Sequence, residues 1–151
     1  MHPEHEITKS VPTSSDLAYL EDRLYEHNSA QTGRDNGQLF AFLIRDDQQE
    51  IIGGLSGWTW AQACEIQTLW VHPAKRGQGM GSSLLAAAEK EALHRGCSVI
   101  LISSYSFQAP EFYQKYGYQL EWQLRNFPPG YQQCYLVKRF ANADISAEIP
   151  R

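Results

Sequence analysis

A run of glycines between residues 76 and 81 is the first feature of this chain whose spacing could do chemistry. It reads Arg-Gly-Gln-Gly-Met-Gly and precedes an apolar stretch with helical spacing. Glycine has no Cβ, so the backbone can approach a ligand closely, and a helix that begins here presents unpaired N–H groups at the positive end of its dipole. Arg76 adds a permanent charge with a planar set of donors. The run therefore predicts a phosphate site, and a simple tight turn between strand and helix is the alternative.

The spacing of these glycines differs from two common phosphate loops. No Gly-Lys-Ser or Gly-Lys-Thr ending follows, as a nucleoside triphosphate loop requires. Gly77, Gly79 and Gly81 form G-x-G-x-G, whereas the dinucleotide fingerprint reads G-x-G-x-x-G. A dinucleotide-binding domain would also need repeated alternation of strands and helices, and hairpins are predicted towards both ends of this chain. That class is therefore disfavoured.

A lone carboxylate, Glu65, is the second feature with chemical potential. Residues 63–72 alternate with period two, as a half-buried strand does. Strict alternation places Glu65 on the face that also carries Gln67, Leu69 and Val71, and the opposite face then carries Ile66, Thr68 and Trp70. A lone carboxylate on the face that carries Leu69 and Val71 is conspicuous, and a solvated strand residue is the alternative.

Both features belong to a predicted strand, turn and helix. The strand at 63–72 closes at Pro73, which has no N–H to donate to a ladder. The helix that begins at the glycines ends with His94 and Arg95 before Gly96, a residue suited to a left-handed stop. Its apolar stripe comprises Leu84, Leu85, Ala88, Ala92 and Leu93. A second apolar strand follows and lies parallel to the first, because a strand-helix-strand crossover demands it; it covers residues 98–104.

Further strands and helices are predicted on either side of this unit. Strands at 39–44 and 50–60 form a hairpin, and Gly53, Gly54 and Gly57 in the second strand indicate a bulge or a close approach of another backbone. A short helix from about 109 to 117 precedes strands at 118–123 and 131–140.

The N-terminal part is predicted to be a strand, a helix and a loop. The strand covers residues 7–11, and the helix runs from its caps at 13–16 to about His27. Its buried side is expected to comprise Leu17, Leu20 and Leu24. Residues 28–37 are polar and punctuated by glycine, so they are expected to form a loop.

Two segments together resemble the signatures of a known family. Arg76-x-x-Gly79-x-Gly81 after a strand ending Leu-Trp-Val is similar to the acetyl-CoA pyrophosphate loop of the GCN5-related N-acetyltransferases (GNAT). Residues 112–118, Phe-Tyr-Gln-Lys-Tyr-Gly-Tyr, resemble the family's second signature, and the match covers roughly residues 38–122. The resemblance implies an α/β fold with a mixed sheet of six to seven strands, flanked by helices, and a splayed parallel pair in the middle. It also implies acetyl-CoA as cosubstrate and direct acetyl transfer to a primary amine of a small molecule or peptide.

The resemblance also implies roles for individual residues. A base matters because only about one free alkylamine in a thousand is unprotonated at neutral pH. Glu65 is the first candidate for this base. Other members of the family place a glutamate at the position of Gln67, and His72 is a further candidate for the base. Tyr113 is expected to protonate the departing thiolate.

The implied contacts fall into two sets. The residues expected to bind acetyl-CoA are Leu69, Trp70, Val71, Arg76, Gly77, Gln78, Gly79, Met80, Gly81, Ser82 and Ser106, of which Ser106 replaces an asparagine that many members carry. The expected contacts to the acceptor are His27, Asn28, Arg34 and Asp35, with a solvated loop as the alternative.

Composition limits the remaining classes. The chain has 151 residues, a formal net charge of −4 and a pI near 5.7, which disfavour nucleic acid or an anionic membrane as a partner. We expect a single acyltransferase domain at 1–140, a C-terminal tail at 141–151, and a homodimer as an open alternative to a monomer. Three cysteines without C-x-x-C spacing, and the lack of a signal pattern or membrane span, predict a cytoplasmic protein. Histidines and glutamates near the N-terminus could be drawn as metal ligands, but we predict no metal site.

A non-catalytic module that binds acyl-CoA, such as a sensor or a partner subunit, is the main alternative to an enzyme. The departures at Gln67 and Ser106 favour it. Transfer of an acetyl group to any amine would exclude it.

Overall fold

The computed structural model describes residues 5–140, and the predicted tail at 141–151 lies outside these residues. Its contacts divide the chain into two compact units, residues 1–35 and 36–151, which we describe separately. The single domain predicted for 1–140 stays a prediction. No helix within residues 5–140 is long and apolar enough to cross a membrane.

The described part of the first unit contains one helix, α1 (Ser14–Thr32). Thr13 caps it, since the Thr13 Oγ1 accepts from the Asp16 N–H at 3.1 Å and the Asp16 carboxylate accepts from the Thr13 N–H at 3.2 Å. These hydrogen bonds lower the pKa of Asp16. The helix ends at Gly33, whose φ of +68° is a left-handed stop.

Three predictions for this unit are wrong. Residues 5–13 contain no strand, because a strand requires a partner. The helix continues five residues beyond His27, since nothing before Gly33 breaks it, so the loop predicted to begin at residue 28 begins later. The side chains predicted to be buried, Leu17, Leu20 and Leu24, are exposed. Spacing gives a helix an apolar stripe, but it does not supply the surface that covers the stripe.

The second unit is built on one six-stranded mixed sheet in the order β1-β2-β3-β4-β6-β5. The strands are β1 (Gln38–Arg45), β2 (Ile51–Trp60), β3 (Ala63–Val71), β4 (Val99–Tyr105), β5 (Gln119–Arg125) and β6 (Gln132–Arg139). The two helices are α2 (Met80–His94) and α3 (Pro110–Lys115), and a 3-10 turn covers Pro73–Lys75. The central pair β3 and β4 is parallel and its neighbours are antiparallel, as the resemblance implied.

The core lies between α2 and one face of this sheet. The predicted stripe is buried at Leu84, Leu85, Ala88 and Ala92, and it contacts the sheet residues Leu55, Cys64, Ile66, Ile100, Ile102 and Leu136. The predicted stripe also includes Leu93, and this part of the prediction is wrong, because Leu93 is 52% exposed near the helix end. Gly96 adopts the predicted left-handed conformation with a φ of +79°.

A β-bulge at Gln67 changes which residues share a face of β3. Ser56 pairs with Thr68 and Gly57 pairs with Ile66, so Gln67 is an extra residue. A Cβ at Gly57 would lie 2.6 Å from the Glu65 carbonyl oxygen, so only glycine allows this approach. Of the two alternatives for the glycines of β2, Gly57 shows the close approach of another backbone, and the extra residue of the bulge lies in β3.

The prediction that Glu65 shares a face with Leu69 and Val71 is wrong for the same reason. One extra residue reverses the alternation, and Leu69 and Val71 pack against the core on the face of Cys64 and Ile66. Glu65 is exposed on the opposite face, where Trp58 is its cross-strand neighbour.

Candidate active site

A cleft opens where the two parallel strands separate. β3 and β4 pair only from Ala63 with Val99 to Ile66 with Ile102, although both strands continue. Beyond this fork, neither strand has a neighbour on the side that faces the other. Such an edge offers backbone N–H and C=O groups to an extended ligand. The splayed pair implied by the resemblance is therefore present.

The cleft has a volume of about 980 Å³ and is lined by β3, the glycine run, the end of β4 and α3. Its lining residues include Gln67, Thr68, Leu69, Trp70, Val71, Lys75, Arg76, Gly77, Gly79, Met80, Gly81, Ser82, Ser103, Ser104, Phe107, Gln108, Phe112, Tyr113 and Tyr116. Nine of the predicted acetyl-CoA contacts thus share one cavity, together with Tyr113.

The glycine run forms the wall of the cleft at the N-terminus of α2. Gly77 and Gly79 have φ values of +77° and +82°, which a residue with a Cβ rarely adopts. Gly79 is the N-cap, so no side chain caps the first turn, and its N–H groups remain available to a ligand. Arg76 is held at this position because its Nε donates to the Val71 carbonyl oxygen at 3.1 Å. With Lys75, it adds positive charge beside the helix N-terminus.

Tyr113 lies on α3 in the lining of the cleft. It is 9% exposed, and its ring packs edge-on against Phe112 and Tyr118 at 5.2 and 6.0 Å between centroids. Burial raises the pKa of the Tyr113 hydroxyl above its usual value. The hydroxyl therefore keeps its proton at neutral pH, as a general acid must.

Three of the predicted site residues within the second unit, Gln78, Ser106 and Glu65, do not join the cleft lining. Gln78 does not line the cleft. Ser106 does not line it either, and its backbone and side chain both bond to Gln132. Glu65 lies one residue before the fork, on the sheet face opposite α2. The predicted acceptor contacts belong to the first unit: His27 and Asn28 lie within α1, and Arg34 and Asp35 follow its last residue.

Sequence reasoning missed several residues of the lining. Ser103, Ser104, Phe107 and Gln108 come from the end of β4 and the loop after it. Gln108 orders this loop, since its Oε1 accepts from the Tyr105 N–H at 2.7 Å and from the Ser104 hydroxyl at 3.4 Å. The only sequence signal was their place at or just after the carboxyl end of a strand parallel to β3, where ligand-binding crevices form in α/β sheets.

Comparison with known proteins identifies the family. The model of the Acetyltransferase (GNAT) family matches residues 5–118. The blasticidin-S acetyltransferase of Streptomyces morookaense is 37% identical over 102 residues, which cover 67% of this chain and 75% of that protein. An acetyltransferase of Agrobacterium fabrum is 35% identical over 121 residues, or 80% of this chain and 88% of that protein. The crystal structure of an acetyltransferase from Agrobacterium tumefaciens superimposes with a TM-score of 0.81 at 32% identity and covers 90% of this chain and 99% of that chain.

These matches do not favour the non-catalytic alternative, because the relatives are described as acetyltransferases. They agree with the splayed parallel strands and with the glycine run at the helix N-terminus. The chain belongs to the GNAT family of acetyltransferases, and it is an acetyl-CoA-dependent N-acetyltransferase that acts on amines.

Proposed function

We propose that this enzyme acetylates a primary amine of a small molecule, with the reaction centred on the fork between β3 and β4. The observation that carries this proposal is the cleft itself, which joins a helix N-terminus suited to a diphosphate with two open strand edges. The relative named for blasticidin-S supports a small-molecule acceptor rather than a protein.

The residues present fit acetyl-CoA, which supplies the activated acetyl group. The N–H groups at Gly79 to Ser82, with Arg76, would hold the diphosphate. The open edge of β3 at 69–71 would pair with the amide groups of the pantetheine arm. Two predicted contacts, Gln78 and Ser106, are the weakest of the set because they do not line the cleft.

Glu65 would accept the proton of the amine from the face of the sheet opposite α2. It pairs with Leu101, and the next pair, Ile66 with Ile102, is the last before the strands separate. An amine that reaches the fork from this face would meet the carboxylate first. In this arrangement the acetyl donor and the acceptor approach the fork from different directions.

Tyr113 would donate a proton to the sulfur that leaves. Tyr113 lines the cleft, and its hydroxyl is protonated at neutral pH, since burial raises its pKa. A phenol is a weaker acid than a thiol in water, so the donation must accompany the breaking of the carbon–sulfur bond.

The test is the release of CoA from acetyl-CoA in the presence of a panel of small amines that includes blasticidin S and aminoglycosides. We expect turnover above the hydrolysis background with at least one amine, and mass spectrometry should find the acetyl group on its nitrogen. Binding of acetyl-CoA without transfer to any amine would contradict the proposal and would favour a binding module.

The role of Glu65 has its own test. Replacing Glu65 by Gln keeps the shape but removes the base, so we expect kcat/KM to fall at least about a hundredfold and its pH profile to change. Affinity for acetyl-CoA should stay the same. A variant with the wild-type rate and pH profile would leave His72 as the candidate to examine.

Two broader predictions remain proposals. We place the enzyme in the cytoplasm, which is supported by three free, buried cysteines within residues 5–140. A homodimer is proposed on the resemblance alone, and sedimentation of the full chain would decide it.

A further inference from the structure

Three aromatic rings meet at the end of β4, beside the mouth of the cleft. The rings of Tyr105 and Phe107 are stacked with centroids 5.2 Å apart and planes 7° apart. Tyr131 meets Phe107 at 5.0 Å with its plane turned by 80°. We call these three residues the aromatic shelf. None of them was assigned a role from the sequence.

The backbone holds the aromatic shelf in place. The Ser106 N–H donates to the Gln132 carbonyl oxygen at 2.8 Å, and the Gln132 N–H donates to Ser106 Oγ at 3.1 Å. Phe107 follows Ser106 and Tyr131 precedes Gln132, so these two bonds bring the rings together. Tyr131 is fixed further by its N–H, which donates to the Pro128 carbonyl oxygen at 2.9 Å.

The rings of the aromatic shelf contact one another, but two of them remain exposed to solvent. Phe107 is 55% exposed and Tyr131 is 49% exposed, although the two rings contact each other with centroids 5.0 Å apart. Phe107 also lines the cleft, so the exposed apolar surface is continuous with the reaction site. Clustered apolar surface at the mouth of a functional cavity is typical of a ligand subsite.

The position of Tyr105 relates the aromatic shelf to the acceptor. Leu101, Ser103 and Tyr105 lie on one face of β4, and Leu101 pairs with Glu65, so this is the face from which the proposed base acts. Ser103 is the first residue of β4 beyond the fork, and Tyr105 lies two residues, about 7 Å, further along the strand. An acceptor with its amine at the fork would extend its distal part towards the rings.

We propose that the aromatic shelf binds a planar ring of the acceptor, so that the preferred amines carry an aromatic or heteroaromatic group several bonds from the reacting nitrogen. This inference rests on the proposed function and deepens it. The stacked pair offers a flat surface that a third planar ring can continue, and Tyr131 stands as a wall beside it. Both offset-stacked and edge-on contacts are favourable between aromatic rings.

A matched pair of amines tests the proposal. The probes are 4-phenylbutylamine and 4-cyclohexylbutylamine, which have the same linker and differ in the ring. The cyclohexyl group is the more apolar, so hydrophobic burial alone would favour it, whereas stacking favours the phenyl group. We expect the wild-type enzyme with CoA bound to bind the phenyl amine about fivefold more tightly in calorimetric titrations, with a similar preference in kcat/KM of acetyl transfer.

Variants locate this preference. Phe107→Ala should abolish it, Phe107→Trp should retain it, and Tyr131→Ala should reduce it. The control is Tyr19→Ala, which removes an exposed ring on α1 that contacts Arg23 instead of another aromatic ring. That variant should keep the full preference. All these rings are exposed, so the variants are expected to fold.

The outcomes separate this inference from the proposed function. Equal binding of the two amines, or a preference that survives in Phe107→Ala, would overturn the inference. A variant that loses affinity for acetyl-CoA and keeps the preference would also overturn it, by assigning the rings to the adenine of the cosubstrate. Tight binding of the phenyl amine without turnover of any amine would support the aromatic shelf and contradict the proposed function.

Discussion

The two ends of α2 differ in whether the protein itself provides contacts for them. At the N-terminus, Gly79 is the cap, no side chain bonds to the first turn, and a cleft of about 980 Å³ adjoins it. At the C-terminus, the guanidinium of Arg95 donates to the Gln38 carbonyl oxygen and to Thr59 Oγ1, each at 3.0 Å. The same side chain pairs with Glu91 at 2.7 Å and lies over the ring of Phe40.

This contrast shows how one helix can serve stability at one end and binding at the other. Backbone N–H groups satisfy carbonyls at the C-terminal end, since Gly96 donates to Leu93 at 3.0 Å and Cys97 donates to Ala92 at 2.8 Å, whereas the N-terminal end has no side-chain cap. The pair of β3 and β4 repeats the contrast, since the two strands are bonded at 63–66 and separate beyond them. The open groups at both places face the same cleft, and they are the groups that acetyl-CoA would satisfy.

The largest expected effect comes from placing a side chain at Gly79, the N-cap of α2. Gly79→Asp forces a side chain onto a residue with a φ of +82° and adds a negative charge where a diphosphate would bind. We expect affinity for acetyl-CoA, measured by calorimetry, to fall at least about a hundredfold. The matched control is Gly96→Asp, at the other end of the helix, where φ is +79° and nothing lies within 4 Å of the added Cβ. Equal loss in both variants would mean that strain, and not the site, causes the effect.

Removing the proposed acid should affect the reaction and not the binding. Tyr113→Phe keeps the ring contacts within the cleft and removes the hydroxyl, so we expect kcat to fall about a hundredfold with unchanged affinity for acetyl-CoA. The control is Tyr118→Phe, which loses the hydrogen bond from its hydroxyl to Glu89 at 3.1 Å and should lower stability alone. A Tyr113→Phe variant with normal kcat would remove this residue from the mechanism.

Removing the Arg95 side chain at the C-terminal end of α2 should lower stability and leave the binding of acetyl-CoA unchanged. Arg95→Ala leaves the 4% exposed Thr59 hydroxyl without its donor and removes the pair with Glu91. We expect the free energy of unfolding to fall by about 2–3 kcal/mol in urea titrations. Affinity for acetyl-CoA at temperatures where the variant is folded should match the wild type. A loss of affinity like that of Gly79→Asp would show that the two ends are not independent.

The smallest expected effect is a dependence of stability on alkaline pH. Burial raises the pKa of the Cys64 thiol from 9.0 to about 12, with Cys97 nearby as a smaller cause. Above pH 9 the unfolded chain releases this proton while the folded chain keeps it, so the unfolded state binds fewer protons and stability falls as pH rises. We expect the loss to be on the order of 1 kcal/mol per pH unit between pH 9 and 10.

Cys64→Ala should reduce the slope of the free energy of unfolding against pH, whatever stability the variant loses at neutral pH. Cys134→Ala, which also removes a buried thiol, serves as the control for packing. Thermal unfolding at pH 8, 9 and 10 would measure both slopes. Identical slopes in the wild type and Cys64→Ala would contradict this assignment.

The sequence predicted those parts of the site that depend on local conformation. The glycines at 77 and 79 adopt the positive φ values that only their residue type allows readily, and they precede a helix as expected. The elements from β1 to β6 lie within a few residues of their predicted bounds, because their periodicity and their Gly and Pro residues are local signals. The family signatures are likewise local patterns in the sequence.

The structure alone decided everything that depends on how segments meet. The bulge at Gln67 moved Glu65 to the other face of the sheet, and the sequence could not give it, because it depends on the backbone of β2 at Gly57. The exposure of Leu17, Leu20 and Leu24 likewise depends on neighbours and not on spacing. The aromatic shelf joins Tyr131 to Phe107, which are 24 positions apart, through two hydrogen bonds between Ser106 and Gln132.

The sequence by itself therefore determined where backbone N–H and C=O groups can remain available to a ligand. These places are the glycines that begin a helix and the strand that precedes them. Tertiary structure decided which side chains face that opening. The physical reason is that backbone conformation follows largely from each residue and its close neighbours. The face on which a strand residue lies depends instead on how the strand pairs with its partner, because a single extra residue in the strand reverses the alternation.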